Sequence, residues 1–158
     1  MLRTNAFVAD AHFQATGDRL TYYFHNQPFE LESGGCLPEI RIGYQTFGEL
    51  NATRDNVVWV FHALTANSNP LEWWPGLIGN HDLINPSEHF IVCANIIGSC
   101  YGSTGPLDFN PETGERYLND FPLLTIRDMV KTHQLLQSHL QIESIYLGIG
   151  GSMGGQQL

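Results

Sequence analysis

The chain has 158 residues, inside the range of about 100–200 for one domain. Hydrophobic residues make up 42 % and charged residues 15 %, which is enough apolar material for a packed core and too little charge for a disordered chain. Seven Lys and Arg against 16 Asp and Glu give a net charge of −9, which argues against nucleic acid or an anionic membrane surface as a partner.

Residues 1–18 carry no period and are expected to form an N-terminal arm, leaving 19–158 as domain sequence. The segment "MLRTNAFVADAHFQ" lacks the apolar core of a secretory signal. No apolar stretch reaches the roughly 20 residues of a membrane span. The expectation is a soluble cytoplasmic protein. "LTYYFHNQPFELESGG" alternates and runs into Gly34-Gly35, which predicts a strand and a turn. "EIRIGYQTFGEL" sets Ile40, Ile42 and Tyr44 against polar neighbours and reads as the partner strand of an antiparallel hairpin. "VVWVFHAL", "HFIVCANIIG" and "SIYLGIG" are continuous apolar runs, typical of strands buried on both faces of a parallel sheet. Two long turn-rich connections follow the first two of these runs. Between the second and third, "LTIRDMVKTHQLLQSHLQI" places Ile126, Met129, Val130, Leu136 and Leu140 near a helical period. Thr125 followed by Asp128 is a capping box. Strands joined through a crossover helix predict an α/β fold with a mostly parallel sheet.

Cys36, Cys93 and Cys100 are odd in number and fit no zinc spacing. They are expected to be reduced and structural, and no metal site is expected.

The stretch "YLGIGGSMGGQQL" admits three interpretations. Gly150-Gly151-Ser152-Met153-Gly154 fits the G-x-S-x-G nucleophile elbow, a serine on a strained strand-to-helix turn. Gly148-x-Gly150 followed by Gly154 is a weak dinucleotide fingerprint. Glycines at a tight turn with no chemistry are the third. A P-loop is excluded, because no G-K-[ST] is present. The rest of the chain favours the elbow. An acyl-transfer serine needs a second oxyanion donor from the loop after an earlier strand. "VVWVFHALTANSN" has that layout, whereas a dinucleotide loop normally follows the first strand.

Four blocks in order, "HALTANSNPLEWWPGLIG", "ANIIGSCYGSTGP", "FPLLTIRDMVKTHQLLQSHLQI" and "GGSMGGQQ", resemble the homoserine O-acetyltransferase family of the α/β-hydrolase fold. The resemblance covers about Phe29 to Leu158. It implies transfer of an acetyl group from acetyl-CoA to the hydroxyl of L-homoserine, towards methionine, by a ping-pong route through a serine acyl-enzyme. By motif position, Ser152 would be the nucleophile, and the backbone N–H groups of Met153 and Leu64 would form the oxyanion hole. L-Homoserine and acetyl-CoA would be the substrates, no cofactor would be permanently bound, and the full-length protein would be a homodimer. Two alternatives stay open: related chemistry on the same scaffold (succinyl transfer, a serine acceptor, or ester hydrolysis), and a non-catalytic truncated product.

The pattern is incomplete. In α/β-hydrolases the Asp and His of the triad follow the serine, and here all seven histidines precede Ser152. The expectation is therefore the N-terminal part of an α/β-hydrolase domain, inactive alone, with the remaining triad members and the residues that hold homoserine beyond Leu158. No substrate-binding residue is assigned within the chain. Among the histidines, His62 is expected to bond backbone near the oxyanion loop, and His81-Asp82 to be a loop dipeptide. His133 and His139 are expected on the crossover helix, solvated or at an interface. Trp73-Trp74 are expected to pack the first long connection onto the body. Cys100, Tyr101 and Arg127 are not expected to be catalytic, although Tyr101 and Arg127 could shape the pocket.

Overall fold

The computed structural model describes residues 19–158; the expected arm at 1–18, with His12, lies outside the described residues. Seven strands form among the described residues: β1 Thr21–His25, β2 Phe29–Glu30, β3 Cys36–Leu37, β4 Ile40–Phe47, β5 Val57–Phe61, β6 Phe90–Ala94 and β7 Ile145–Gly150. Two α-helices accompany them, α1 Pro70–Trp73 and α2 Ile126–His139. β2 and β3 make a small antiparallel ribbon. The other five strands form one sheet in the order β1-β4-β6-β5-β7. β1 pairs antiparallel with β4, and β4 antiparallel with β6. β5 runs parallel to both β6 and β7. The expected hairpin is present, with the β2–β3 ribbon inserted between its strands.

The two-residue period of a strand sends alternate side chains to opposite faces, and this builds two cores. Val57, Trp59 and Phe61 of β5, with Phe90, Val92 and Ala94 of β6, pack under α2 through Leu136 and Leu140. Val58, Val60, Ile91 and Cys93 face the other way, onto Leu77, Ile78, Ile84, Trp73 and Trp74 of the first long connection. β5 and β6 are buried along their whole length, as their continuous apolar runs predict.

Two strands depart from expectation. β4 alternates in sequence but is buried at nearly every position, including Gln45 and Thr46. It is an interior strand between β1 and β6, and both faces are covered. β7, expected to be buried, is not: Ile145, Tyr146 and Leu147 are 40 %, 69 % and 41 % exposed. It is the last strand in the sheet order, with no strand on its outer edge among the described residues.

α2 begins where the capping box places it. Thr125 Oγ1 accepts from the Asp128 N–H, and the Asp128 carboxylate accepts from the Thr125 N–H. The buried Asp128 also accepts from the Glu32 N–H at 2.9 Å, which ties the ribbon to the helix start. Burial alone would raise the Asp128 pKa, but these backbone hydrogen bonds outweigh it and hold it below the usual range. No described helix is long and apolar enough to cross a membrane.

Candidate active site

Parallel strands β5 and β7 pair Phe61 with Gly150, so the segments leaving them emerge side by side at one end of the sheet. From β7 the chain passes through Gly151, in extended conformation, and reaches Ser152 at φ +56°. This is the left-handed region, which costs a residue with a side chain about 1–3 kcal/mol. A short 3₁₀ helix, Ser152–Gln156, follows at once. Ser152 is exposed, and no described group hydrogen-bonds its Oγ.

Two glycines permit the turn. A Cβ on Gly150 would lie 2.6 Å from the Gly154 carbonyl carbon, so the turn closes only over a bare Cα. A Cβ on Gly154 would sit 2.1 Å from the Phe61 carbonyl oxygen and 2.9 Å from that of His62. The elbow therefore rests directly on the backbone that leads into the Leu64 loop. Leu64 is 68 % exposed three residues past β5. Among the described residues neither the Leu64 nor the Met153 N–H donates a hydrogen bond. The three candidate positions thus share one end of the sheet, with a strained serine and two uncommitted backbone donors.

His62 is buried, at 1 % exposure. Its Nδ1 lies 2.8 Å from the Ala63 carbonyl oxygen, and its Nε2 accepts from the Ile96 N–H at 3.2 Å. Burial pushes its pKa down, against the opposing effect of the Ala63 bond. It bonds backbone, as its sequence position suggests.

Behind this end of the sheet lies a polar network that the sequence did not single out. The Ser68 hydroxyl donates to Gln45 Oε1, and Asn95 Nδ2 donates to Ser68 Oγ and, at 2.7 Å, to the Tyr101 carbonyl. The Ser103 hydroxyl donates to the Asn95 carbonyl at 2.6 Å. Together these bonds tie the loops after β5 and β6 to β4. The available signal was Asn95, a polar residue closing an apolar strand.

The remaining candidates lie apart from the serine. His133 is a correction: it is not solvated but 4 % exposed, with its ring 5.7 Å from that of Trp59 and 5.4 Å from that of Phe61. It lies three residues before the buried Leu136, on the face of α2 that packs against the sheet. Burial, with His62 nearby, lowers its pKa to about 3, and neither ring nitrogen has a partner among the described residues. It lines a groove of about 310 Å³ between α2 and β7. His139 stacks on Tyr23 with centroids 4.5 Å apart. His81 and Asp82 sit exposed in the first long connection. Trp73 donates from Nε1 to the Asn67 carbonyl and packs with Trp74 against the second core, so the pair does fasten that connection. Tyr101 reaches the Thr65 carbonyl through its hydroxyl, and Arg127 pairs with Glu32 at the ribbon. All three cysteines are free, Cys93 buried and Cys36 and Cys100 exposed. Among the described residues, no three His, Cys, Asp or Glu side chains cluster in a way that would hold a metal.

Comparison with known proteins adds independent findings. A family described as alpha/beta hydrolase fold matches residues 56–158. A homoserine O-acetyltransferase of Cyclobacterium marinum is 51 % identical over 134 residues, covering 85 % of this chain and 38 % of that relative. The chain thus spans well under half the length of the curated relatives it matches. Among solved structures, homoserine O-acetyltransferase from Bacillus anthracis superposes with a TM-score of 0.78 at 28 % identity, over 88 % of this chain and 41 % of the other. Esterase E22 superposes with a TM-score of 0.77 at 26 % identity, over 88 % and 42 %.

Proposed function

The chain belongs to the α/β-hydrolase fold family, and from that premise we propose that the complete protein is a homoserine O-acetyltransferase working through an acyl-enzyme on Ser152. The observation that carries this is Ser152 at φ +56° between close-packed glycines, beside the loop that bears Leu64. Similarity to curated homoserine O-acetyltransferases supports the choice of reaction.

In the first half-reaction, Ser152 Oγ attacks the thioester carbonyl of acetyl-CoA. The new C–O bond forms, the C–S bond breaks, and the serine proton leaves with the CoA thiol. In the second, the hydroxyl of L-homoserine attacks the acyl carbonyl: the new C–O bond to homoserine forms, the C–O bond to Ser152 Oγ breaks, and the hydroxyl proton returns to Ser152. In both, negative charge develops on the carbonyl oxygen, where the N–H groups of Met153 and Leu64 would receive it. A serine hydroxyl needs a base, and a base needs an orienting carboxylate. The complete protein supplies both from outside the described residues. Acetyl-CoA enters as a co-substrate, with no permanently bound cofactor, and the product lies on the route to methionine. We place the reaction in the cytoplasm, in a homodimer, with residues 19–158 as the N-terminal part of one hydrolase-type domain.

The test is CoA release by the complete protein with and without homoserine. The expected result is sustained release, beyond about one equivalent per enzyme, that depends on homoserine and falls by on the order of a thousandfold or more in Ser152→Ala. Release that ignores every acceptor would favour the second reading, an ester or thioester hydrolase, to which the likeness to esterase E22 points. The 158-residue chain alone is expected to be inactive; turnover by it that Ser152→Ala abolishes would overturn that.

A further inference from the structure

We infer that His62 is a positioning residue that aims the Leu64 N–H into the oxyanion hole by holding the Ala63–Leu64 peptide from its carbonyl side. This rests on the assignment of Leu64 as an oxyanion donor.

The tautomer follows from the partners. A carbonyl can only accept and a backbone N–H can only donate. Nδ1 must therefore carry the proton given to the Ala63 oxygen, and Nε2 must be the lone pair that takes the Ile96 N–H. The ring is neutral and fixed at both ends. One end is anchored in the buried Ile96 just past β6. The other holds a carbonyl whose amide partner is the Leu64 N–H.

In a planar trans peptide the C=O and N–H point in opposite directions. Fixing the Ala63 oxygen therefore fixes the direction of the Leu64 hydrogen. The Ala63 oxygen also accepts from the Ala66 N–H at 3.0 Å, so two donors define that plane. Donors on a carbonyl also polarise the N–H of the same amide, which strengthens it toward an anion. Leu64 is exposed, with its N–H uncommitted among the described residues. Gly154, two residues past the serine, packs on the carbonyls of Phe61 and His62. One histidine thus sits between the end of β6 and the peptide that carries the Leu64 N–H.

The test compares His62→Asn, His62→Gln and His62→Leu in the complete protein by single-turnover acylation with acetyl-CoA and by steady-state kinetics. The Asn amide is placed to donate to the Ala63 oxygen, the Gln amide reaches toward Ile96, and Leu does neither. The expected result is a fall in the acylation rate on the order of a hundredfold for His62→Leu. KM for acetyl-CoA should hardly change, and His62→Asn should recover most of the loss while His62→Gln recovers little. If His62→Leu does not fold, the ranking of Asn above Gln decides. Wild-type acylation rates in the variants, a KM effect with the rate retained, or Asn no better than Gln would overturn the inference. Ser152→Ala separates the two levels. If it stays active, the acyl-enzyme reading fails and takes this inference with it; if it is dead while the His62 variants behave as wild type, only the role of His62 falls.

Discussion

Ser152 combines two properties that stability alone would not select, a left-handed backbone and an exposed side chain. Glycine adopts that backbone without strain. Ser152→Gly is therefore expected to stabilise the fold by about 1 kcal/mol while removing the proposed nucleophile, whereas Ser152→Ala keeps the strain. Denaturant midpoints of the three proteins check this. His133 carries the second residue-scale prediction. Its unfolded pKa is near 6.5 and its folded pKa about 3, so between those values the unfolded chain binds the extra proton. The contribution of His133 to stability is therefore present above about pH 6.5 and is lost as the pH falls from there toward 3. His133→Phe keeps the stack on Trp59 and Phe61 and is expected to flatten that dependence in acid-unfolding curves. The serine was legible because the elbow is a local pattern of glycines about one residue. The burial of His133 was not, because the ring is polar and only the packed face of α2 reveals where it goes.

At the scale of elements, α2 was the most legible, because both of its signals lie within a few residues: the Thr125–Asp128 box and the apolar stripe. Thr125→Ala is expected to cost about 1 kcal/mol. Asp128→Ala should cost more, since it also strands the Glu32 N–H, 96 residues away in sequence. Urea unfolding of both variants tests the order; equal costs would mean that the Glu32 bond contributes nothing. β5 and β6 were legible as continuous apolar runs. β4 and β7 were half-legible. Their strand character is written in residue types, but burial depends on what lies beside them, and that is decided by sheet order. Gln45 is buried because Ser68 gives it a partner, a pairing no local pattern announces.

For the whole molecule, the outer edge of β7 has no strand beside it among the described residues, and its side chains are apolar and exposed. Unpaired apolar edges recruit other strands. The isolated 158-residue chain is expected to self-associate, with concentration-dependent mass by light scattering. A monomer that melts cooperatively would count against this. Charged substitutions at Tyr146 and Leu147 should shift the distribution toward monomer. The packing of Gly154 on the Phe61 backbone has a further consequence in time. During synthesis Phe61 leaves the ribosome some 90 residues ahead of Ser152. The contact of Gly154 with the Phe61 backbone cannot form until β7 has docked against β5. A nascent or unfolded chain therefore carries an ordinary serine. If Ser152 is the nucleophile proposed above, its strained geometry is expected to arise only late in folding, after β7 has paired.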